Sequence, residues 1–165
     1  MAWKITQIDD TVDLRHYRKE PNADLLDDFH FEANGYKFRV ALFTDTDGSS
    51  IPKPLLGVFG DKFSKFNLYE GIIHDAAYSN DILIEIDGEW KYVYLTAGQT
   101  DAMFRIARDF CGGWKITNWA MWAGIRLNST IFDWTRPLLG KKKVFPTLAQ
   151  FKMKHPDGII LPFDA

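Results

Sequence analysis

Cysteine is nearly absent from the sequence, because Cys111 is the only one among 165 residues. A single thiol cannot form an internal disulfide, so the fold does not depend on an oxidising compartment. An excess of positive charge is also lacking, since 20 Lys and Arg stand against 22 Asp and Glu. Neutralising nucleic-acid phosphates requires clustered cations, and no nucleic-acid partner is therefore predicted.

Long apolar runs are missing as well. The most apolar window, Trp114 to Leu127, contains charged and polar residues and is shorter than the roughly 20 residues that cross a bilayer. The amino terminus lacks the apolar stretch of a signal peptide. We therefore expect no transmembrane segment and synthesis in the cytoplasm, and we expect the window to form a helix enclosed by the domain.

Hydrophobic residues make up 46% of the chain and aromatic residues 15%. A chain of this length buries roughly 70% of its unfolded surface and folds without metal or disulfide links. No linker or internal repeat divides it. The sequence predicts a single domain over residues 1–165, ending in an extended tail over 137–165 that contains loops and short strands.

Two pairs of strands are each joined by a turn of two residues. They are Phe29–Ala33 with Tyr36–Phe43 around Asn34-Gly35, and Ile82–Ile86 with Glu89–Leu95 around Asp87-Gly88. These dipeptides favour the positive backbone angles of tight hairpins. We predict two antiparallel hairpins.

Three helices are predicted from apolar residues at helical spacing. They are Phe66–Ser79, Thr100–Phe110 and Trp114–Leu127. Thr100 is the expected N-cap of the second helix, with Asp101 in its first turn near the positive end of the helix dipole. The predicted fold class is α+β, with antiparallel hairpins packed on about three helices.

A dense polar loop follows the first hairpin. Asp47, Gly48, Ser49 and Ser50 lie within it, and their carboxylate and hydroxyl groups suit a cation or a phosphate. The alternative is an ordinary turn whose side chains bond to their own backbone.

Two further polar segments lie on predicted helices. His74 and Tyr78 are four residues apart and share one helical face, with Asp75 beside them. His74 is either a general base or a histidine that satisfies a buried carbonyl. Asp101 is either a favourable charge at a helix start or a carboxylate that orients the imidazole of His74.

Four motifs together resemble a known family. In chain order they are Thr46-Asp47-Gly48-Ser49-Ser50-Ile51-Pro52, His74-Asp75-Ala76-Ala77-Tyr78, Thr100-Asp101-Ala102-Met103-Phe104 and Met121-Trp122-Ala123-Gly124-Ile125-Arg126. In this order the motifs resemble those of the domain-of-unknown-function family 1353, over a core of about residues 36–134. The resemblance implies a bacteriophage or prophage origin and no established activity. The second hairpin departs from the family pattern, and it would either cover a pocket beside His74 or block one.

The His-Asp-x-x-Tyr helix is also similar to the active-site helix of secretory phospholipases. That similarity implies that His74 activates water, that Asp101 orients it, and that Tyr78 belongs to the catalytic group. It further implies that Asp75, with Asp47 and Gly48 of the loop, holds calcium, for which hard oxygen ligands are suited. Ser49 and Ser50 are then candidate loop or substrate contacts.

Two functions from different classes follow from these observations. The first is a small hydrolase that acts on a lipid or cell-wall substrate through His74 and Asp101. The second is a non-enzymatic virion or tail-assembly component, in which the same polar groups form a buried network and other virion proteins are the partners. The expected location is the host cytoplasm on synthesis and, for the second function, the virion.

Overall fold

The computed structural model describes residues 4–16, 23–46, 65–112, 115–123 and 146–161. These ranges contain nine strands and four helical segments, which confirms the α+β class. Six strands form one sheet in the order β1-β4-β5-β7-β8-β9. They are β1 (Ile5–Ile8), β4 (Phe29–Ala33), β5 (Tyr36–Val40), β7 (Ile82–Ile86), β8 (Glu89–Tyr94) and β9 (Ile159–Ile160). A second sheet pairs β2 (Leu14–His16) with β3 (Ala23–Leu25) and β3 with β6 (Asp45–Thr46).

Both predicted hairpins are present and antiparallel. Asn34 and Gly35 have φ of 53° and 80°, and Asp87 and Gly88 have φ of 53° and 81°. These positive angles are those of two-residue hairpin turns. β5 ends at Val40, before the predicted Phe43, because the chain turns away over the following residues.

The second hairpin is neither a lid nor a plug. β7 pairs with β5, and β8 pairs with β7 on one side and with β9 on the other. Ile82, Ile84 and Val93 are buried in the hydrophobic core. The hairpin is therefore an integral part of the larger sheet.

The helices are α1 (Lys65–Ser79), α2 (Ala97–Phe110), α3 (115–123) and α4 (Leu148–Lys154). Residues of α1 and α2 pack against the inner faces of β4, β5 and β7 to form the core. Among the described helices, none is long and apolar enough to cross a membrane.

The predicted start of α2 was wrong. Thr96 is the N-cap, and its hydroxyl accepts the backbone N–H of Gln99 while the Gln99 side chain accepts the backbone N–H of Thr96. This reciprocal capping box satisfies two helix-end donors and outweighs the single cap predicted at Thr100. As a result, Thr100 and Asp101 lie inside the helix rather than at its start.

The prediction that residues 114–127 form an enclosed helix was also wrong for the described part, 115–123. Asn118 and Met121 are buried, whereas Ile116 is 81% exposed and Trp119 62% exposed. The side that faces the protein thus carries a polar residue that bonds to α2. The apolar character of tryptophan and isoleucine predicts burial, but it does not determine which side of the helix faces the protein.

The carboxyl-terminal segment contains a helix that the prediction of loops and short strands left out. α4 begins with a second capping box, Thr147 with Gln150. Phe151 is fully buried and its ring lies 5.5 Å from that of Tyr94 on β8. His155 stacks on Tyr92 with ring centroids 3.7 Å apart. The segment therefore packs on the sheet instead of wrapping loosely around it.

A buried polar cluster joins α1, α2 and α3. The Arg108 guanidinium forms an ion pair with Glu70 and donates hydrogen bonds to Asn67 Oδ1 at 2.6 Å and to Asn118 Oδ1 at 2.7 Å. All four side chains are almost completely buried. Such a cluster is stable only when each partner is present, because each unpaired charge costs several kcal/mol.

Removing the cation from this cluster is expected to destabilise the fold strongly. Arg108→Met leaves the Glu70 carboxylate buried without its counter-charge, and we expect a loss of about 3–5 kcal/mol in the free energy of unfolding. Arg105→Met, one turn earlier on α2, removes a half-exposed cation and should cost less than about 1 kcal/mol. Urea unfolding of both variants measures the difference. Equal losses would contradict the assigned role of the cluster.

Stability should fall in mild acid because of His155. Burial and the neighbouring Lys154 lower the pKa of His155, although Asp81 opposes the shift. The folded state then binds a proton less readily than the unfolded state, so this contribution to stability is complete above the unfolded pKa of about 6.5 and declines as pH falls below it. His155→Phe retains a stacking ring without a titrating group. Thermal unfolding between pH 7.5 and about 5 should show a smaller decline for the variant, and parallel declines would refute the assignment.

Candidate functional site

The predicted His74 segment lies in the second half of α1. The rings of His74 and Tyr78 are in contact, with centroids 4.5 Å apart, as the spacing of four residues predicts. The His74 side chain is 15% exposed. The imidazole is thus largely enclosed but still reaches the surface.

The imidazole also contacts α2. The ring of Phe104 approaches it edge-on, with centroids 5.6 Å apart. Glu70 pairs with Arg108 one turn before His74 on α1 and one turn after Phe104 on α2. α1 and α2 therefore run antiparallel. A residue one turn later on α1 contacts a residue one turn earlier on α2.

The two nitrogens of His74 have different surroundings. Nδ1 lies 3.7 Å from Asp75 Oδ1, beyond hydrogen-bond distance. Nε2 is buried and has no hydrogen-bond partner among the described residues. Nδ1 is consequently the nitrogen that could meet a water molecule, and Nε2 is the one that faces the interior.

Asp75 connects α1 to the smaller sheet. Its Oδ2 accepts a hydrogen bond of 2.7 Å from the hydroxyl of Thr46, which is itself 1% exposed and ends β6. The polar loop begins at the next residue. The start of the loop and the His74 segment are therefore adjacent, as the hypothesis of a shared site requires.

The remaining loop residues of the predicted site, Asp47, Gly48, Ser49 and Ser50, lie outside the described residues. Their roles stay predictions.

Asp101 lies on α2, one turn before Phe104, and is 1% exposed. Its predicted place in the first turn of the helix was wrong, because α2 begins at Ala97. Among the described residues, no hydrogen bond or ion pair joins Asp101 to His74. Its orienting role stays a prediction. Because the two helices are antiparallel, the start of α2 lies towards Tyr78 at the end of α1. Asp101 therefore lies at the same end of the helix pair as His74.

The predicted calcium site is only partly within the described chain. Calcium takes six to eight oxygen ligands, and Asp75 is the one predicted ligand that the described ranges include. Within these ranges, no group of three or more His, Cys, Asp or Glu side chains could hold a metal. A calcium site thus depends on Asp47 and Gly48, and it stays a prediction.

Sequence reasoning missed three contributors to this region. The contact of Phe104 with His74 and the bond from Thr46 to Asp75 were not expected. Glu70 and Arg108 were not singled out, although each falls on the apolar stripe of its helix, three residues before Ile73 and four after Phe104. A charge on an inward-facing stripe is the signal that could have found them.

The family comparison covers this whole region. The model of the family described as "Protein of unknown function (DUF1353)" matches residues 23–125, which is more than half of the chain. The chain belongs to the DUF1353 family. The DUF1353 match begins earlier than the predicted start of the core at Tyr36 and ends earlier than its predicted end at Trp134. It includes Thr46, His74 and Asp101. No curated protein and no solved structure matches the chain.

The bond between Thr46 and Asp75 should contribute measurably to stability. Thr46→Val keeps the shape of the side chain and removes a donor to a carboxylate, a type of bond that contributes about 1.5–3 kcal/mol. Thr44→Val is the matched control, because the Thr44 hydroxyl donates to the neutral carbonyl of Ala41, also at 2.7 Å. Urea unfolding should show the larger loss for Thr46→Val. An equal or smaller loss would contradict the assigned importance of the bond.

Proposed function

We propose that this DUF1353 protein is a hydrolase in which His74 activates water. The observation that carries the proposal is the unequal environment of the two imidazole nitrogens. Nε2 is buried, whereas the side chain as a whole retains some exposure beside Asp75. A general base needs one nitrogen within hydrogen-bond reach of the water that it deprotonates.

In the proposed reaction, Nδ1 of His74 accepts a proton from water while the water oxygen attacks the carbonyl carbon of a lipid ester or a cell-wall amide. The imidazolium then returns the proton to the departing alcohol or amine as the bond from that carbon to the leaving oxygen or nitrogen breaks. Tyr78 and Phe104 both contact the ring and restrict its movement. Asp101 is the residue proposed to orient the ring and to stabilise the imidazolium.

Calcium is the proposed cofactor, with Asp75, Asp47 and Gly48 as its ligands. When bound, the cation would neutralise charge on the substrate. Ser49 and Ser50 are the proposed substrate contacts in the same loop. The fixed position of Asp75 against Thr46 supports this arrangement, because it places one carboxylate at the beginning of the loop.

The proposed substrate is a lipid or a component of the cell wall. These are the barriers that a phage-encoded hydrolase meets, and a phage or prophage origin is part of the proposal. The protein would be made in the host cytoplasm.

Replacing His74 tests the hydrolase proposal. His74→Gln should lower turnover by about 10²- to 10⁴-fold, which is the usual contribution of a general base. The assay measures fatty acid released from phosphatidylethanolamine and phosphatidylglycerol vesicles, and soluble fragments released from purified peptidoglycan, each with and without calcium. His155→Phe is the control, because it replaces a histidine on the other side of the sheet.

The proposal fails if the wild-type protein releases neither product, or if His74→Gln retains full turnover. A normal melting temperature for His74→Gln is needed for the comparison. Calcium binding should raise the melting temperature. At a free calcium concentration of a hundred times the dissociation constant, it should add about 2.7 kcal/mol to the free energy of unfolding.

A second candidate function is a non-enzymatic virion or tail-assembly component. The bond between Thr46 and Asp75 favours it, because a structural network would join the smaller sheet to α1 through such buried bonds. In that case His74→Gln should lower the melting temperature strongly and calcium should not change it. The protein should also sediment with assembled virus particles. Its absence from purified particles would contradict this role.

A further inference from the structure

A cleft of about 200 Å³ lies on the outer face of the larger sheet. Its polar lining and Trp90 come from four strands or their ends: Gln7, Asp9, His30, Glu32, Lys37 and Trp90. Phe31 and Phe38 of the central strands also line it. Residues alternate between the two faces of a strand, and Phe29, Phe31 and Phe38 point into the core. The cleft therefore opens on the face opposite to α1 and His74.

Trp90 forms the aromatic wall of the cleft. It lies on β8, three strands away from β4, a separation of about 14 Å at the usual strand spacing. Nevertheless, the rings of Trp90 and His30 are 6.0 Å apart, so both side chains lean across the sheet towards each other. The Arg39 guanidinium lies 4.9 Å from the centre of the Trp90 ring and supports it from β5.

His30 is held in one orientation by Asp9. Asp9 Oδ2 accepts the backbone N–H of His30 at 2.6 Å and lies 3.2 Å from the ring Nδ1. A proton on Nδ1 leaves Nε2 as a hydrogen-bond acceptor. The His30 side chain is 48% exposed, so a fixed polar group faces the aromatic wall.

Two cations at or beside the cleft are paired within the protein. Lys37 lies 3.2 Å from Glu85, and Arg39 lies 3.0 Å from Asp28. Because Lys37 and Arg39 each already face a carboxylate, an anionic ligand would gain little. A neutral ligand with hydroxyl groups can instead donate to the carboxylates and to the Gln7 side-chain oxygen, and can accept from Lys37.

We propose that this cleft binds a single pyranose unit of a carbohydrate. A pyranose ring has an apolar C–H face for the Trp90 ring and a rim of hydroxyls for the surrounding polar groups. The volume is below the roughly 300–1,000 Å³ of pockets for drug-sized ligands, which suits one sugar ring. The inference is independent of the hydrolase proposal, because the two sites occupy opposite faces of the sheet.

Ligand-observed saturation-transfer NMR tests this site. The probes are the methyl glycosides of glucose, galactose and N-acetylglucosamine, with the full chain as the protein. We expect saturation to reach the ring protons of at least one probe. Trp90→Leu should weaken the binding of that probe about tenfold. This factor corresponds to the loss of an aromatic contact of about 1.4 kcal/mol. Trp119→Leu removes a tryptophan that is 62% exposed on α3 and should bind as the wild type does.

Gln7→Ala is a second variant, which changes an exposed side chain of the rim and should also weaken binding. It keeps the test possible if Trp90→Leu does not fold. The proposal is overturned if none of the three glycosides receives saturation. It is also overturned if Gln7→Ala and a folded Trp90→Leu bind as tightly as the wild type. Perturbation of the His30 resonances by inorganic phosphate, with no effect of the sugars, would assign the cleft to an anion instead.

Discussion

The ion pair between Glu70 and Arg108 fixes how α1 and α2 lie against each other. Two charges removed from water cost more than their attraction returns unless further hydrogen bonds complete the site, and Asn67 and Asn118 provide those bonds. The pairing is directional, so it selects one antiparallel register out of several that apolar contacts alone would permit. α3 joins the same cluster through Asn118, and three helices thereby share one fixed point.

The environment of His74 is a consequence of that register. One turn along each helix from the ion pair, the imidazole meets Phe104, and a shift by a single turn would place a different residue against it. Thr46 supplies the second constraint, because its hydroxyl holds Asp75 from the smaller sheet. The candidate site is therefore positioned from two directions by polar contacts, while the apolar core supplies the bulk of the burial.

The hairpins and α1 could be predicted because local chemistry decides them. Asn34-Gly35 and Asp87-Gly88 favour one kind of turn regardless of their surroundings. The cap of α2 was misplaced because Thr96 and Thr100 are equally acceptable by type, and only Gln99 distinguishes them. α4 carries the same signal in Thr147 and Gln150, but the surrounding prolines concealed it. The burial of Arg108 and the exposure of Trp119 depend on which face of a helix meets the protein, and no single residue type determines that.

The pairing of β8 with β9 joins parts of the chain that are far apart in sequence, since Val93 lies opposite Ile159. During synthesis, the β8 edge has its backbone N–H and C=O groups uncovered until residues 146–161 leave the ribosome. Uncovered edges of this kind recruit strands from other chains. β9 covers this edge only after it has been synthesised, and until then association with a neighbouring chain competes with completion of the sheet.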